Sequence, residues 1–459
     1  MSDPIQLQYD AGTVLLTGGD SEEYATLPGV QFDPRTTTYR AEALNYRAIV
    51  EALRRQRRPY VDMARGYDPK PTGWTVQSGR DPFPHQQEAV DAWWQAGGRG
   101  VVVLPTGTGK TFVAVLAIQK VSRPALVVTW TIDLMFQWES ELSKHFGIEV
   151  GLMGGGEYKP LPLTVTTYDS AYLKVEWWGN KYGMLIFDEA HHLPGESIMQ
   201  AAIGSIAPYR LGLTATLERA DGREALFPEL IGDTVYRKEI KELKGDYLAE
   251  YTTHLILVDL TAEEQEQYQK SRDIYRAFLH TRGISLSGPN GWQKFLWEAV
   301  RSTQGWEAFL AYREQKRLQH AATGKLIELE RLLKKHYADR TMIFTADNAT
   351  VYQIARRYMV PPITHQTKAK ERKQILQRFH CGEYPMVVTS QVLNEGVDVP
   401  AASVGIVLSG TGTTRENVQR LGRLLRKLGD KQATLYELVA RGTAEEFTSD
   451  RRRQHHAFR

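Results

Sequence analysis

Leu104-Pro105-Thr106-Gly107-Thr108-Gly109-Lys110-Thr111 is the stretch on which the fold turns. Four apolar residues, Val101-Val102-Val103-Leu104, run into it, and Phe112-Val113-Ala114-Val115-Leu116-Ala117-Ile118 runs out of it. A buried strand, a glycine-rich turn and a helix, in that order, aim backbone N–H groups and a helix N-terminus at a polyphosphate. Thr106, Gly107, Thr108 and Gly109 form the expected cradle. Lys110 has the reach for the β- and γ-phosphates, and Thr111 has a hydroxyl for a Mg²⁺ ion. The spacing predicts a nucleoside triphosphate site.

Hydrolysis at such a site needs carboxylates. Asp188-Glu189-Ala190-His191 follows the apolar run Met184-Leu185-Ile186-Phe187, so both acids are expected where a buried strand emerges at its carboxyl end. Doubly wound sheets bind ligands in that crevice. Asp188 is the candidate metal ligand, and Glu189 the group that orients and deprotonates the attacking water. Much later, Gln419-Arg420-Leu421-Gly422-Arg423-Leu424-Leu425-Arg426 sets Arg423 and Arg426 three apart, on one helix face. Two guanidiniums there suit a γ-phosphate clamp.

The remaining composition narrows the class. A chain of 459 residues exceeds one hydrophobic core and predicts two or three domains. No apolar stretch approaches the ~20 residues of a membrane span, and Met1-Ser2-Asp3-Pro4 lacks a signal-peptide pattern, so a cytoplasmic location is expected. The single cysteine, Cys381, excludes an internal disulfide and a cysteine-ligated zinc or iron–sulfur site. A net charge of +3 permits a polyanionic partner without requiring one.

Short apolar runs at 101–104, 125–129, 163–167, 184–187 and 210–214 alternate with amphipathic segments, and a second such stretch covers about 322–439, with strands expected at 341–345, 386–389, 404–408 and 432–438. The expected class is α/β, with two doubly wound parallel-sheet domains. Residues 1–75 read as a small α+β domain with a helix over 41–58, and 67–73 as a linker. The divisions expected are 1–75, 76–240 and 241–459. Within the last, 262–321 is helical, aromatic and basic, and reads as an insertion. Its Trp292, Lys294 and Arg301 are candidates for single-strand contact through stacking and phosphate pairing, although Trp292 and Phe295 also read as its core.

Placed in chain order, the motifs form one series: Gln86 before the first helix of the lobe, the phosphate loop, residues 130–138 ending in Gln137-Trp138, and Thr166-Thr167-Tyr168. The Asp188 box, Thr214-Ala215-Thr216, Thr345-Ala346-Asp347, residues 389–400 and residues 419–426 complete it. This series, over about 80–440, resembles the superfamily 2 helicases. The run Arg210 onward to Arg223 narrows the resemblance to XPB-type DNA helicases of archaeal size, whose Arg-Glu-Asp triplet appears here as Arg219-Ala220-Asp221, without the middle carboxylate. A second departure is Phe83-Pro84-His85-Gln86, where such proteins often read Arg-Pro-Tyr-Gln.

The resemblance implies two RecA-like lobes closing on ATP and Mg²⁺, with Gln86 reading adenine, Gly396 and Asp398 on the nucleotide side, and His191 coupling it to nucleic acid. It implies nucleic-acid contacts at Gln137, Trp138, Thr167, Arg219, Asp221 and Thr389. It further implies 3′-to-5′ movement on DNA, a DNA- or damage-sensing N-terminal domain, a thumb-like insertion, and a monomeric motor working with a nuclease or another repair or transcription protein. The residues themselves leave open a duplex translocase that does not separate strands, an RNA-directed helicase, and a nucleotide-gated binding module.

Overall fold

In the computed structural model the chain forms two compact units, Met1–Lys238 and Glu239–Arg459. The structure describes residues 4–19, 21–219, 221–243, 247, 250–286, 290–390, 402–409 and 432–453.

The first unit begins with strands Ile5–Asp10 (β1), Thr13–Thr17 (β2), Gln31–Asp33 (β3), Thr38–Glu42 (β4) and Tyr60–Met63 (β5), in sheet order β3-β4-β2-β1-β5. Ile5, Leu7, Val14 and Leu16 alternate onto one face and bury Ile49 and Leu53 of the helix Tyr46–Arg55. That helix is shorter than the 41–58 expected. Ala41 pairs with Val14 in the sheet, a 3₁₀ turn covers Ala43–Asn45, and Arg57 takes a left-handed conformation (φ 52°) that ends the helical run. The small sheet is fastened to the rest of its unit. The Tyr9 hydroxyl lies 2.8 Å from the Val175 carbonyl and 2.9 Å from that of Gly204, and Arg47 donates to the carbonyls of Gly97 and Pro208. The linker is laid down as well: Thr72 N–H donates to Ser122, and Gln77 N–H to His145.

The large sheet of this unit contains Arg99–Val103 (β6), Ala125–Thr129 (β7), Gly151–Gly154 (β8), Glu157–Lys159 (β9), Leu163–Thr167 (β10), Met184–Asp188 (β11), Tyr209–Thr214 (β12) and Thr234–Arg237 (β13). Its order is β13-β6-β12-β11-β7-β10-β8-β9, parallel apart from β9. β7, β10 and β11 are buried along their whole length, and their sequences, ALVVT, LTVTT and MLIFD, are accordingly apolar or threonine up to the carboxyl end of β11. One charged group inside, Arg210, gives its guanidinium hydrogens to the carbonyls of Ala207, Leu230 and Ser205. Because β6, β12 and β11 are parallel neighbours, the phosphate loop after β6, Thr214 and Asp188 emerge at one edge.

In the second unit Glu250–Val258 (β14), Thr341–Phe344 (β15), Pro362–Ile363 (β16), Met386–Thr389 (β17), Val404–Val407 (β18) and Gln432–Ala440 (β19) form a parallel sheet of order β14-β19-β18-β15-β17-β16. Three helices, Ala262–Thr281, Gly291–Ala299 and Thr303–His320, pack around Tyr275, Phe278, Phe295 and Ala308. Their root is clipped: Glu264 accepts from Thr261 N–H at one end of the excursion and from Thr323 N–H at the other. The Tyr268 hydroxyl accepts from Gln315, Gln319 and Ala444 N–H. Among the described residues no helix is long and apolar enough to cross a membrane.

Candidate functional site

The phosphate loop is shaped by Gly107 and Gly109, both left-handed at φ 90° and 84°. Gly109 immediately precedes the helix Lys110–Val121, whose N-terminus carries no side-chain cap. The Thr108 carbonyl accepts from His85 Nε2 at 2.9 Å and Gln86 Nε2 at 3.0 Å, while the Thr108 hydroxyl donates to Pro105. Lys110 Nζ donates to the Leu104 carbonyl at 3.3 Å, and Thr111 is half-buried one residue on. The Thr106 hydroxyl is buried in the loop with no hydrogen-bond partner.

Asp188 ends β11 with its carboxylate fixed on both oxygens. Trp138 Nε1 donates to Oδ2 at 2.7 Å, and the Glu189 N–H donates to Oδ1 at 3.0 Å. Burial pushes its pKa up to about 6; the Glu189 charge adds to this, while Lys110, the Trp138 indole and the Glu189 amide oppose it. Glu189 holds a left-handed backbone (φ 47°, ψ 52°), a strained conformation for a side-chain-bearing residue. Its Oε2 is buried without a hydrogen bond, 3.5 Å from His191 Nδ1. The Thr214 hydroxyl gives its hydrogen to the Thr216 carbonyl, so His191 Nδ1, 3.0 Å away, is the donor in the contact with Thr214.

These residues fit a divalent cation held against phosphates. Two neighbouring buried carboxylates, one with an orphaned oxygen, lie where the Lys110 charge is felt. Among the described residues no group of three or more His, Cys, Asp or Glu forms a protein-only cage. A Mg²⁺ ion, which takes one or two carboxylates and completes its shell with phosphate and water, matches that donor set.

Three family models match the chain: the Xeroderma pigmentosum group B helicase damage recognition domain over residues 7–64, the type III restriction enzyme res subunit over 80–219, and the helicase conserved C-terminal domain over 324–427. A relative from Sulfurisphaera tokodaii, named DNA 3′-5′ translocase XPB2, is 39% identical over 450 residues, covering 98% of this chain and all of its own. The chain belongs to the XPB family. A second XPB relative, the DNA 3′-5′ helicase XPB of Kineococcus radiotolerans, is 31% identical over 84% of this chain, which spans 64% of that longer protein. The crystal structure of the Pyrococcus furiosus Hef helicase domain shares the fold, with a TM-score of 0.57 at 18% identity over 81% of this chain.

The XPB-type triplet is tied to the acidic box. Arg219 forms a two-pronged pair with Asp221 at 2.8 and 2.7 Å, and its Nη1 donates to the His191 carbonyl. Trp138 corrects an expectation. It is 3% exposed, leaving no ring face for a base, and its N–H serves Asp188, while Gln137 beside it is half-exposed. The side chains of Thr167 and Thr389 are also turned inward: Thr167 caps the helix Tyr168–Leu173 and Thr389 donates to the Ser390 carbonyl. Gln86 is fully buried, with its amide on the phosphate loop rather than open to a base.

Trp130 enters the sequence reading only as part of its motif. It lies flat on His192, with centroids 3.7 Å apart and planes 3° apart, and so joins that segment to the acidic box. In the insertion Phe295 is core, whereas Trp292 packs one side against Phe295 and Tyr312 and stays 41% exposed. Lys294 is exposed, and Arg301 lies 3.6 Å over the Trp297 ring. Gly396, Asp398, Arg423 and Arg426 lie outside the described residues.

Proposed function

We propose that this chain is an ATP-driven DNA motor of the XPB type, moving 3′ to 5′ and separating strands in DNA repair or transcription. The observation that carries the reading is the buried Asp188–Glu189 pair, under the influence of the phosphate-loop Lys110, in a chain that aligns end to end with a relative named a DNA 3′-5′ translocase. Bound Mg²⁺ would neutralise charge on the β- and γ-phosphate oxygens. Thr111 and Asp188 are the residues to hold it. Lys110 pairs with the terminal phosphates, and the loop backbone cradles them. Trp138 and the Glu189 N–H keep Asp188 ionised and in place. Glu189, whose Oε2 accepts no hydrogen bond, aligns water for attack on phosphorus and takes up its proton.

His191, hydrogen-bonded to Thr214, relates the state of that centre to the chain that follows β12. Arg423 and Arg426 are assigned to the γ-phosphate from their motif, and Gly396 and Asp398 to the nucleotide. Gln137, Arg219, Asp221, Lys294 and Arg301 are the side chains assigned to DNA, with the divisions 1–75, 76–240 and 241–459 as sensing domain, first lobe and second lobe. A repair or transcription protein, such as a nuclease, is the expected partner of a monomeric motor.

A second reading, a duplex translocase that leaves strands paired, is favoured by Ala220 in place of the triplet carboxylate and by the word translocase in the full-length relative's name. Strand displacement and triplex displacement measured on the same preparation decide between them. Unwinding of a 3′-tailed duplex supports the helicase. Triplex displacement without unwinding supports the second reading, and activity in neither contradicts both.

A further inference from the structure

A buried ion pair in the second unit lies apart from the acidic centre and from every motif of the series. The Lys325 ammonium, 0% exposed, donates to the Leu408 carbonyl at 2.7 Å and to Glu445 Oε2 at 2.6 Å. The same oxygen accepts from the Ala440 N–H at 2.9 Å, so one carboxylate holds both the ammonium and the end of β19. Taking two charges out of water is costly, and only close geometry with further hydrogen bonds offsets the cost. Such a pair tolerates little displacement of either partner.

Leu408 directly follows β18, at the carboxyl edge of a parallel sheet, the edge at which such sheets bind ligands. The chain that carries Arg423 and Arg426 continues from there. Ser409, one residue on, accepts from the Ala346 N–H at 2.8 Å, and the neighbouring Asp347 pairs at 3.0 Å with His320, the last residue of the third insertion helix. On the other side of the ion pair, the Ala444 N–H, next to Glu445, donates to the Tyr268 hydroxyl at 3.0 Å. Tyr268 belongs to the first insertion helix, is 0% exposed, and also receives Gln315 Nε2 and Gln319 Nε2 of the third at 3.1 Å each. Three N–H groups therefore converge on one buried oxygen. A shift of the insertion helices against the sheet must carry Ala444 and Glu445 with Tyr268, or leave buried donors unpaired.

We propose that Tyr268 is a positioning residue: through Glu445 and Lys325 it sets the carboxyl end of β18, and DNA held on the three-helix insertion speeds ATP turnover by this route. This rests on the reading of the chain as a DNA-stimulated ATPase with Lys294 and Arg301 on DNA. The test is ATP turnover by the full chain without nucleic acid and with saturating single-stranded DNA, beside its affinity for that DNA. Tyr268→Phe keeps the ring and removes the shared acceptor. Its DNA-free turnover and DNA affinity should stay within about twofold of the unaltered chain, while stimulation by DNA falls about tenfold, inside the ~5- to 150-fold span of couplings between sites. Lys325→Met with Glu445→Gln removes both charges together, so that neither is stranded, and should lose stimulation to a similar extent. All three changes combined should lose no more than either alone, because they cut one connection. If Tyr268→Phe fails to fold, the charge-pair variant decides by the same ratio. Intact stimulation in either variant, losses that multiply in the combined one, or a matching fall in DNA-free turnover or DNA affinity would overturn the inference alone. Turnover of the unaltered chain indifferent to DNA would overturn the underlying reading with it.

Discussion

The acidic centre at the end of β11 and the three-helix insertion of the second unit use tryptophan in opposite ways. At the centre, Trp138 is buried and its one polar hydrogen is aimed at Asp188. In the insertion, Trp297 and Trp306 are 55% and 50% exposed, with Arg301 laid over the former. The first arrangement fixes one carboxylate to within a hydrogen bond, as charge stabilisation at a reacting phosphate requires. The second leaves ring faces and cations on the outside, where a long polyanion can be gripped without fixed register. Chemistry calls for groups locked in one buried geometry; a surface for a sliding polymer calls for rings and cations that reach solvent, even where they pack on each other as Arg301 does on Trp297.

The strongest way to break this contrast is Glu189→Gln. Turnover should fall by about a thousandfold or more while DNA binding persists; loss of DNA binding alongside turnover would mean that the two regions are not separate in role. Next in size is Trp138→Phe, which keeps most of the ring and removes the N–H. The Mg²⁺ concentration for half-maximal activity should rise by about 10- to 100-fold, as when a partner supporting a metal ligand is removed. An unchanged requirement would show that the indole serves packing alone.

Removing Lys294 and Arg301 together should weaken DNA binding and flatten the salt dependence of the logarithmic affinity by about one for each phosphate no longer neutralised. Equal affinity across a salt series would remove the insertion from the interface. Lys316 is a poorer choice for this test, since burial lowers its pKa and it packs over Tyr312.

The smallest expected effect is on pH dependence. Asp188 is raised from 3.8 to about 6 by burial and the Glu189 charge, so its contribution to stability is complete below pH 3.8 and is lost as pH rises through about 6. Mg²⁺ with ATP requires the ionised form. It should therefore raise the melting temperature by a few degrees more at neutral pH than at about pH 5. An equal increment at both would remove Asp188 from the metal's shell.

Much of the fold is legible in the sequence because parallel strands buried on both faces are short stretches rich in apolar and β-branched residues; 125–129 and 163–167 coincide with β7 and β10. β14 is not, since its Glu250, Thr252, Thr253 and His254 are exposed and interrupt any such run. The helix expected over 41–58 is too long because Ala41 and Leu44 continue a helical spacing while sitting in a strand and a 3₁₀ turn. In the site, chain order locates Lys110, Asp188 and Glu189 at strand ends, where topology fixes position. It does not give the direction of a side chain. Trp138 sits in a nucleic-acid motif yet turns inward from the helix Ile132–Phe146, and Gln86 stands at a base-reading place with its amide on the loop. Periodicity reports which face a residue occupies, not which partner it meets there.

The decisive measurement is ATP turnover by the full chain without nucleic acid and with single-stranded DNA, duplex DNA or RNA, beside the Glu189→Gln variant. A DNA motor working through this acidic centre should turn over faster with DNA than with RNA or with no nucleic acid, and the variant should turn over at least about a thousandfold more slowly. Turnover indifferent to DNA, or preserved in Glu189→Gln, would contradict that reading of the chain.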